Sequence, residues 1–207
     1  MVDINKRKYF LDIFHKAEKK YGGSEKRLAG EGWEYDWQLI VTTIMSAQSR
    51  DETTIPIAES LFRKYGSLDK LAGANYSDVL QLLKSLNYNR TKTKNIIACA
   101  KMLVDEFNSK VPDNIEELVK LPGVGRKTAN LVLGELHNKD AICVDTHVHR
   151  IANVFGFVKT KNATETEYAL EKLAPRKYWN RINRIFVLWG KDVPGKDKKR
   201  FLKKLEG

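Results

Sequence analysis

Hydrophobic residues recur at helical spacing along most of this chain. In the segments 9–21, 57–65 and 92–107 they lie mostly three or four positions apart, which places them on one face of a helix. Residues 37–45 are almost entirely apolar, which is typical of a helix buried on all sides. The one strand candidate, residues 141–144, is too short to anchor a sheet. The pattern therefore predicts an all-α fold, with further helices at 76–86, 146–155, 165–173 and 178–190.

A glycine-rich break separates two short amphipathic segments in the middle of the chain. In the first segment, Asp113 is the predicted N-cap residue, and Glu116 follows three residues later as in a variant of the capping box. The sequence LPGVG at 121–125 then ends this helix, and a second helix is predicted to begin near Gly125. We therefore expect a helix-hairpin-helix motif at about residues 114–136.

The hairpin glycines indicate a phosphate-binding site. Gly123 and Gly125 lack a Cβ atom, so their backbone amides can approach a phosphate closely. These amides precede a helix, whose free N–H groups and dipole favour an anion, and such contacts hold the DNA backbone without reading bases. The glycines alone are also consistent with an ordinary turn between two helices. The whole sequence LPGVGRKTA favours phosphate binding. The candidate DNA-binding residues here are Gly123, Val124, Gly125, Arg126 and Thr128.

The charge balance also indicates a partner that carries phosphates. The chain has 37 lysines and arginines against 26 acidic residues, a formal net charge of +11. Basic side chains that neutralise phosphates release counterions, which favours a nucleic acid partner over a basic surface kept for solubility alone. The lysine-rich segment 195–207 is either a helix or a tail, and a solvated face and a DNA-contacting arm both remain open.

Several other classes of protein are disfavoured. No apolar run is long enough to cross a membrane, and the first residues do not lead into an apolar signal core. We therefore expect no membrane partner and an intracellular protein of the cytoplasm and nucleoid, or of the nucleus. The two cysteines, Cys99 and Cys143, are too few for an iron–sulfur cluster or a zinc site of four cysteines, and we expect buried free thiols.

Taken together, the motifs closely resemble the endonuclease III family of base-excision enzymes, in the helix-hairpin-helix (HhH-GPD) DNA glycosylase superfamily. The resemblance covers roughly residues 33–190, and Asp145 follows Lys127 by 18 residues, a separation typical of the family. The segments that carry it are LPGVGRKTAN at 121–130, VDTHVHR at 144–150, LIVTTIMSAQSRDE at 39–52, NIIACAKML at 95–103 and FVLWG at 186–190.

The resemblance implies catalytic roles for Lys127 and Asp145. From the residues alone, Lys127 lies in the first turn of a helix, where the dipole disfavours a charged amine, or it simply binds phosphate. By resemblance it attacks C1′ of a flipped nucleotide, displaces the base and allows β-elimination. Asp145 is a predicted N-cap, and by resemblance its carboxylate also stabilises positive charge on the sugar or accepts a proton.

Two further positions resemble the residues that fill the gap left by an extruded base. Gln48 is the glutamine of the family's SAQ motif, and Tyr88 occupies the place of a second wedge that is usually apolar. A tyrosine there can stack on bases, although a loop aromatic packed on the core is an equal alternative. The tyrosine departs from the family pattern and leaves the preferred lesion open.

The resemblance also bears on cofactors. Many family members end in a four-cysteine loop that binds an iron–sulfur cluster, but no cysteine follows Trp189, which implies a branch without the cluster. His147 and His149 are two residues apart, so a helix directs them to different sides and disfavours a transition-metal site. Hairpins of this kind bind Na⁺ or K⁺ through backbone carbonyls, which here would be those of Val119, Leu121 and Val124.

We therefore expect a monomeric DNA glycosylase with AP lyase activity on double-stranded DNA that carries a lesion or mismatch. The base is expected to be a pyrimidine, either oxidised or a thymine opposite guanine or 8-oxoguanine. Two helical lobes, 31–142 and 1–30 with 143–207, are expected to surround a DNA-binding cleft. The alternatives are a hydrolytic mismatch glycosylase, in which Asp145 activates water, and a non-catalytic DNA-binding module.

Overall fold

The computed structural model describes residues 3–206, and within them every regular element is helical. This confirms the all-α prediction. None of the helices in that range combines the length and the apolar character that a membrane crossing requires. The α-helices are α1 (Ile4–Tyr21), α2 (Asp36–Ser46), α3 (Asp51–Tyr65), α4 (Leu68–Ala72), α5 (Tyr76–Leu82), α6 (Asn89–Phe107), α7 (Ile115–Leu118), α8 (Arg126–Glu135), α9 (Thr146–Val154), α10 (Ala163–Leu173), α11 (Trp179–Asp192) and α12 (Lys198–Glu206).

The chain divides into two compact units. One is the continuous segment Arg27–His137, and the other contains the rest of the described chain on both sides of it. Compared with the expected lobe 31–142, the observed unit begins four residues earlier and ends five residues earlier. Helices α2 to α8 belong to the unit Arg27–His137, whereas α1 and α9 to α12 belong to the other.

Helix α2 is the central helix of its unit. Every residue from Trp37 to Met45 is buried, and the helix packs against α3, α6 and α8. Its two threonines satisfy their hydroxyl groups locally, because Thr42 donates to the Gln38 carbonyl at 2.7 Å and Thr43 donates to the Leu39 carbonyl at 2.6 Å. A polar side chain bonded within its own helix can be buried at little cost, so the prediction of a buried helix at 37–45 is confirmed.

The helix-hairpin-helix motif consists of α7, the turn at 119–125 and α8. The prediction of Asp113 as the N-cap residue was wrong by one position. Asn114 is the cap, and its side chain accepts a hydrogen bond from the Glu117 amide at 2.9 Å and donates to the Glu117 carboxylate at 2.6 Å. The two residues that pair are therefore 114 and 117, one position later than predicted, and their second bond joins the two side chains rather than completing the predicted capping box.

Aromatic side chains form much of the core of the other unit. The rings of Phe10, Phe14, Phe157 and Phe186 are fully or almost fully buried, and Trp189 is fully buried beside them. Helix α11, which supplies Phe186 and Trp189, packs against α1 and α9.

The lysine-rich end of the chain is a docked helix. Phe201 of α12 is fully buried, and its ring meets that of Trp189 edge-on with centroids 5.1 Å apart. Lys199, Lys203 and Lys204 lie on the exposed side of the same helix. The segment is therefore a helix rather than a tail, with one apolar anchor and a basic outer face.

The segment 141–144 is buried but forms no strand. Two side chains of α11 bind its backbone instead of a neighbouring strand. Asn180 accepts from the Ala141 amide at 3.1 Å, and the Asn183 amide group donates to the Cys143 carbonyl at 3.0 Å. These bonds satisfy buried backbone groups and fix the approach of the chain to α9.

Candidate active site

The two hairpin glycines have different surroundings. Gly123 has φ +83°, and a Cβ atom built on it would lie 3.0 Å from Asn95 Cβ and 3.2 Å from Ile44 Cγ2. Both the backbone conformation and the close neighbours therefore favour glycine at this position. Gly125, the N-cap of α8, has φ −94°, and a Cβ atom there would meet nothing within 4 Å. Gly123 thus stabilises the hairpin turn, whereas Gly125 leaves an open surface at the start of the helix.

The residues around Gly125 differ in exposure. Val124 is buried, and its amide donates to the Leu121 carbonyl at 3.0 Å, which closes the turn. Thr128 is also buried, and Arg126 is half-buried and takes part in polar contacts of its own. A phosphate at this helix end would therefore meet mainly backbone amides.

Lys127 is the second residue of α8, and its side chain is exposed. Within the unit Arg27–His137, which the structure describes completely, its amine has no hydrogen-bond or ion-pair partner. Because the side chain is exposed in the free protein, bound DNA has to supply any desolvation of the amine. The structure thus leaves this amine available to a substrate at the start of the hairpin helix.

Asp145 caps α9, as predicted. One carboxylate oxygen, Oδ1, accepts a hydrogen bond from the Val148 amide at 2.8 Å, and the side chain is half-buried. Lys127 and Asp145 lie in different units. The cap fixes the direction of the Asp145 carboxylate, because a side chain bonded to its own helix start cannot rotate freely.

Arg150, which the sequence analysis did not single out, lies one turn after the cap. Its guanidinium donates to the backbone carbonyls of Gly190 and Gly195, each at 2.6 Å. Burial lowers the pKa of Arg150, whereas the negative charge of Asp145 raises it. A cation held by two backbone carbonyls therefore lies within electrostatic reach of the Asp145 carboxylate.

The two histidines of α9 are engaged in different contacts. His149 Nδ1 lies 2.6 Å from Thr166 Oγ1, and His147 Nδ1 lies 3.2 Å from a guanidinium nitrogen of Arg150. Among residues 3–206, no three histidine, cysteine or carboxylate side chains lie close enough together to hold a metal ion.

Gln48 and Tyr88 are brought together in the unit Arg27–His137. Both are exposed and both have left-handed backbone conformations, with φ 53° and 55°. The Asn87 side chain donates to the Gln48 carbonyl at 2.6 Å, so the loop after α2 contacts the loop before α6. Tyr88 is 63% exposed, so the alternative of an aromatic ring packed on the core is wrong.

Lys92 is a second residue that sequence reasoning missed. It is 4% exposed, and its amine donates to Ser49 Oγ at 2.9 Å, directly after Gln48. Burial lowers its pKa to about 8. No local signal distinguishes this lysine from the exposed Lys94 two positions later, because burial depends on packing between distant segments.

Both cysteines are buried free thiols, as predicted. Burial raises the pKa of Cys99 to about 12. An iron–sulfur cluster of the family type requires four cysteine thiolates, whereas these 207 residues contain two, in different units. The cysteines present therefore do not fit such a cluster.

Comparison with known proteins identifies the family of this chain. The model of the HhH-GPD superfamily of base excision DNA repair proteins matches residues 41–176. Endonuclease III of Thermotoga maritima is 43% identical over 157 residues, which cover 76% of this chain and 74% of the relative. The chain belongs to the endonuclease III family. Members of this family are bifunctional DNA glycosylase/AP lyases of base excision repair, so the alternatives of a purely hydrolytic glycosylase and a non-catalytic DNA-binding module are wrong.

Other endonuclease III proteins agree over longer stretches. The enzyme of Buchnera aphidicola subsp. Schizaphis graminum is 37% identical over 192 residues, which cover 92% of this chain and 89% of the relative. A solved structure of an endonuclease III trapped as a covalent intermediate with DNA matches with a TM-score of 0.84 and 28% identity. That match covers 93% of this chain and 88% of the other.

Proposed function

We propose that this endonuclease III family member removes a damaged or mispaired pyrimidine from duplex DNA by nucleophilic attack of Lys127. The observation that carries the proposal is the position of the lysine. Its exposed side chain lies two residues after the open hairpin residue Gly125, and its amine has no partner in its own unit. A phosphate held by the hairpin amides would bring the sugar of a bound nucleotide toward this amine.

In the proposed reaction, the neutral amine of Lys127 attacks C1′ of the nucleotide. The glycosidic bond breaks, and the base leaves with the bonding electron pair and takes up a proton. The bond between C1′ and the ring oxygen then opens, the oxygen stays on C4′ and takes up a proton given up by the amine, and a C=N Schiff base remains. Removal of a proton from C2′ then forms a C2′–C3′ double bond and expels the 3′ phosphate with the bonding electron pair. The covalent DNA intermediate trapped in a related endonuclease III supports this course.

Asp145 is proposed to stabilise positive charge on the sugar while the base departs, or to accept a proton from the attacking amine. The carboxylate is oriented by its bond to the Val148 amide, and the Arg150 guanidinium lies within electrostatic reach of it. Removing the charge with Asp145→Asn keeps a side-chain oxygen for the cap. We therefore expect this variant to stay folded but to excise the base more slowly by about two orders of magnitude, as for a lost acid–base group.

Gln48 and Tyr88 are proposed to fill the stack when the nucleotide is extruded. Their exposure and their shared location support this role. An aromatic side chain can stack on the base opposite the gap, which favours a substrate selected partly by its partner base. The proposed substrates are therefore an oxidised pyrimidine, or a thymine opposite guanine or 8-oxoguanine.

A panel of labelled duplexes tests the proposed substrate. The panel contains thymine glycol opposite adenine, uracil and thymine opposite guanine, and thymine opposite 8-oxoguanine, each measured at single turnover with Tyr88→Leu as the matched variant. We expect excision of at least one pyrimidine, and a loss of preference for the opposite base in Tyr88→Leu. Tight binding to the whole panel without release of any base would contradict the proposal.

Two proposals concern cofactors. We propose that the protein functions without an iron–sulfur cluster, since its two buried cysteines cannot supply four ligands. Iron and sulfide analysis of the purified protein tests this, and stoichiometric iron would overturn it. We also propose that the carbonyls of Val119, Leu121 and Val124 bind Na⁺ or K⁺. DNA affinity at constant ionic strength should then be weaker in tetramethylammonium chloride than in potassium chloride, and equal affinity would contradict it.

A further inference from the structure

Two wedge residues in left-handed conformations require support from their surroundings. Residues other than glycine rarely adopt positive φ, and they keep it only where neighbouring contacts over-determine the backbone. Gln48 and Tyr88 both do so, at φ 53° and 55°, and both side chains are exposed. Their own side chains therefore do not explain why the two loops hold these conformations.

The support comes from hydrogen bonds between the two loops. Asn87, next to Tyr88, donates to the carbonyl of Gln48 at 2.6 Å. Lys92 of α6 donates through its amine to Ser49 Oγ at 2.9 Å, and its backbone amide makes the first bond of its own helix, to the Tyr88 carbonyl at 3.0 Å. Each wedge residue is thus bonded, directly or through its neighbour, to a residue of the other loop.

The burial of Lys92 is the unusual part of this arrangement. Lysine is almost never fully buried unless it is paired, yet this side chain is 4% exposed and its amine bonds to a neutral hydroxyl. Burial is the cause that lowers its pKa to about 8. The nearest helices, α2, α4 and α5, carry the charged residues Asp36, Asp69, Lys70 and Asp78, and none of these contributes to that change. An apolar residue could be buried at this position at a lower cost in free energy. The feature that only the lysine provides is the hydrogen bond to Ser49.

We propose that Lys92, Asn87 and Ser49 form a clasp that holds Gln48 and Tyr88 in place as one wedge before DNA binds. The clasp rests on the proposed function, because it acts through those two residues, and its members are positioning residues. A wedge ordered in advance loses less conformational freedom on insertion than two mobile loops, so nucleotide extrusion is faster. The clasp should matter less for single-stranded DNA, where no stack has to be opened.

The test measures extrusion separately from chemistry. A fluorescent 2-aminopurine beside a thymine glycol reports unstacking in stopped-flow mixing with the full-length protein, and AP lyase activity on single-stranded abasic DNA reports the chemistry. We expect Lys92→Met and Ser49→Ala to slow extrusion about tenfold, the effect of one hydrogen bond to a charged group. Ser49→Thr, which keeps the hydroxyl, should restore most of the rate. Lys94→Met is the matched control, since it removes the same charge from an exposed position on α6.

The outcomes separate the clasp from the function on which it rests. If Lys92→Met and Ser49→Ala extrude the nucleotide as fast as Lys94→Met, the clasp is refuted. In that case, slow extrusion by Gln48→Ala and Tyr88→Ala would leave their assignment as wedge residues intact. If these two variants also extrude at the normal rate, the wedge assignment itself fails. The pair Ser49→Ala and Ser49→Thr keeps the test valid should Lys92→Met fail to fold.

Discussion

The hairpin offers a prediction in which two neighbouring glycines should respond differently to the same substitution. Alanine at position 123 has to adopt φ +83° and to displace Asn95 and Ile44 from contacts of 3.0 to 3.2 Å. The left-handed conformation costs roughly 1–2 kcal/mol and the crowding adds about 1 kcal/mol, while the stiffer unfolded chain offsets about 0.5 kcal/mol. We therefore expect Gly123→Ala to lower the free energy of unfolding by about 2 kcal/mol.

Gly125→Ala is the matched comparison. Its φ of −94° suits alanine, and the new methyl group would meet nothing within 4 Å. The weaker N-cap and the stiffer unfolded chain act in opposite directions, so the free energy of unfolding should change by less than about 0.5 kcal/mol. The methyl group would nevertheless occupy the surface proposed for the phosphate. DNA affinity should therefore fall roughly tenfold, as for one lost charge-assisted hydrogen bond.

Urea denaturation and DNA titration at fixed salt measure the two effects. The midpoint of Gly123→Ala should fall while the slope of the transition stays constant, since a stability change alone leaves the exposed surface unchanged. Salt must be fixed because phosphate contacts weaken steeply as it rises. Equal midpoints for the parent and Gly123→Ala would refute the steric reasoning. Undiminished DNA affinity in Gly125→Ala would refute the phosphate site.

Three other buried or paired groups, Phe201, Asp192 and Cys99, can be tested by substitution or modification. Phe201→Ala should lower the free energy of unfolding by about 3–5 kcal/mol, measured by urea denaturation, because a fully buried ring that anchors α12 is lost. Burial alone would raise the pKa of Asp192, but hydrogen bonds from Tyr21 and Lys204, together with the charges of Lys204 and Lys20, outweigh it and lower that pKa. Asp192→Asn should therefore destabilise the protein at neutral pH. In thermal melts, the difference in stability from the parent protein should become smaller as the pH falls below about 4, where the parent carboxylate also loses its charge. Cys99, whose pKa burial raises to about 12, should resist iodoacetamide in the native state and react after unfolding, as measured by mass spectrometry.

A specific result would contradict each of the predictions for Phe201, Asp192 and Cys99. Lys199→Ala on the exposed side of α12 should change stability little, and a loss equal to that of Phe201→Ala would deny the anchor. A cost of Asp192→Asn that persists in acid would show that packing rather than charge is responsible. Rapid alkylation of native Cys99 would mean that its surroundings open readily.

Local patterns predicted most of the fold. The apolar run at 37–45 predicted a buried helix because exposing so many apolar side chains to water would cost too much free energy. The five-residue helix α4 was missed, because its length is too short for a periodic pattern. The cap at Asn114 was misplaced by one residue, since Asp113 and Asn114 are both good capping residues and only the backbone selects between them.

The candidate site was predictable only where its residues belong to continuous motifs. Lys127 and Asp145 stand within such motifs, so their elements could be assigned before the structure. The clasp could not be assigned, because Lys92 meets Ser49 across 43 positions and Asn87 meets Gln48 across 39. Contacts at such separations depend on how the helices pack against one another, and the spacing of neighbouring residues in the sequence does not predict them.

Borohydride trapping on duplex DNA with an abasic site shows whether Lys127 is the nucleophile. Borohydride reduces a Schiff base to a stable bond, so the parent protein should give a covalent protein–DNA adduct. Lys127→Ala should give none, whereas Lys120→Ala, which removes an exposed lysine of the same hairpin, should give as much as the parent. An adduct of undiminished yield in Lys127→Ala would mean that another residue is the nucleophile.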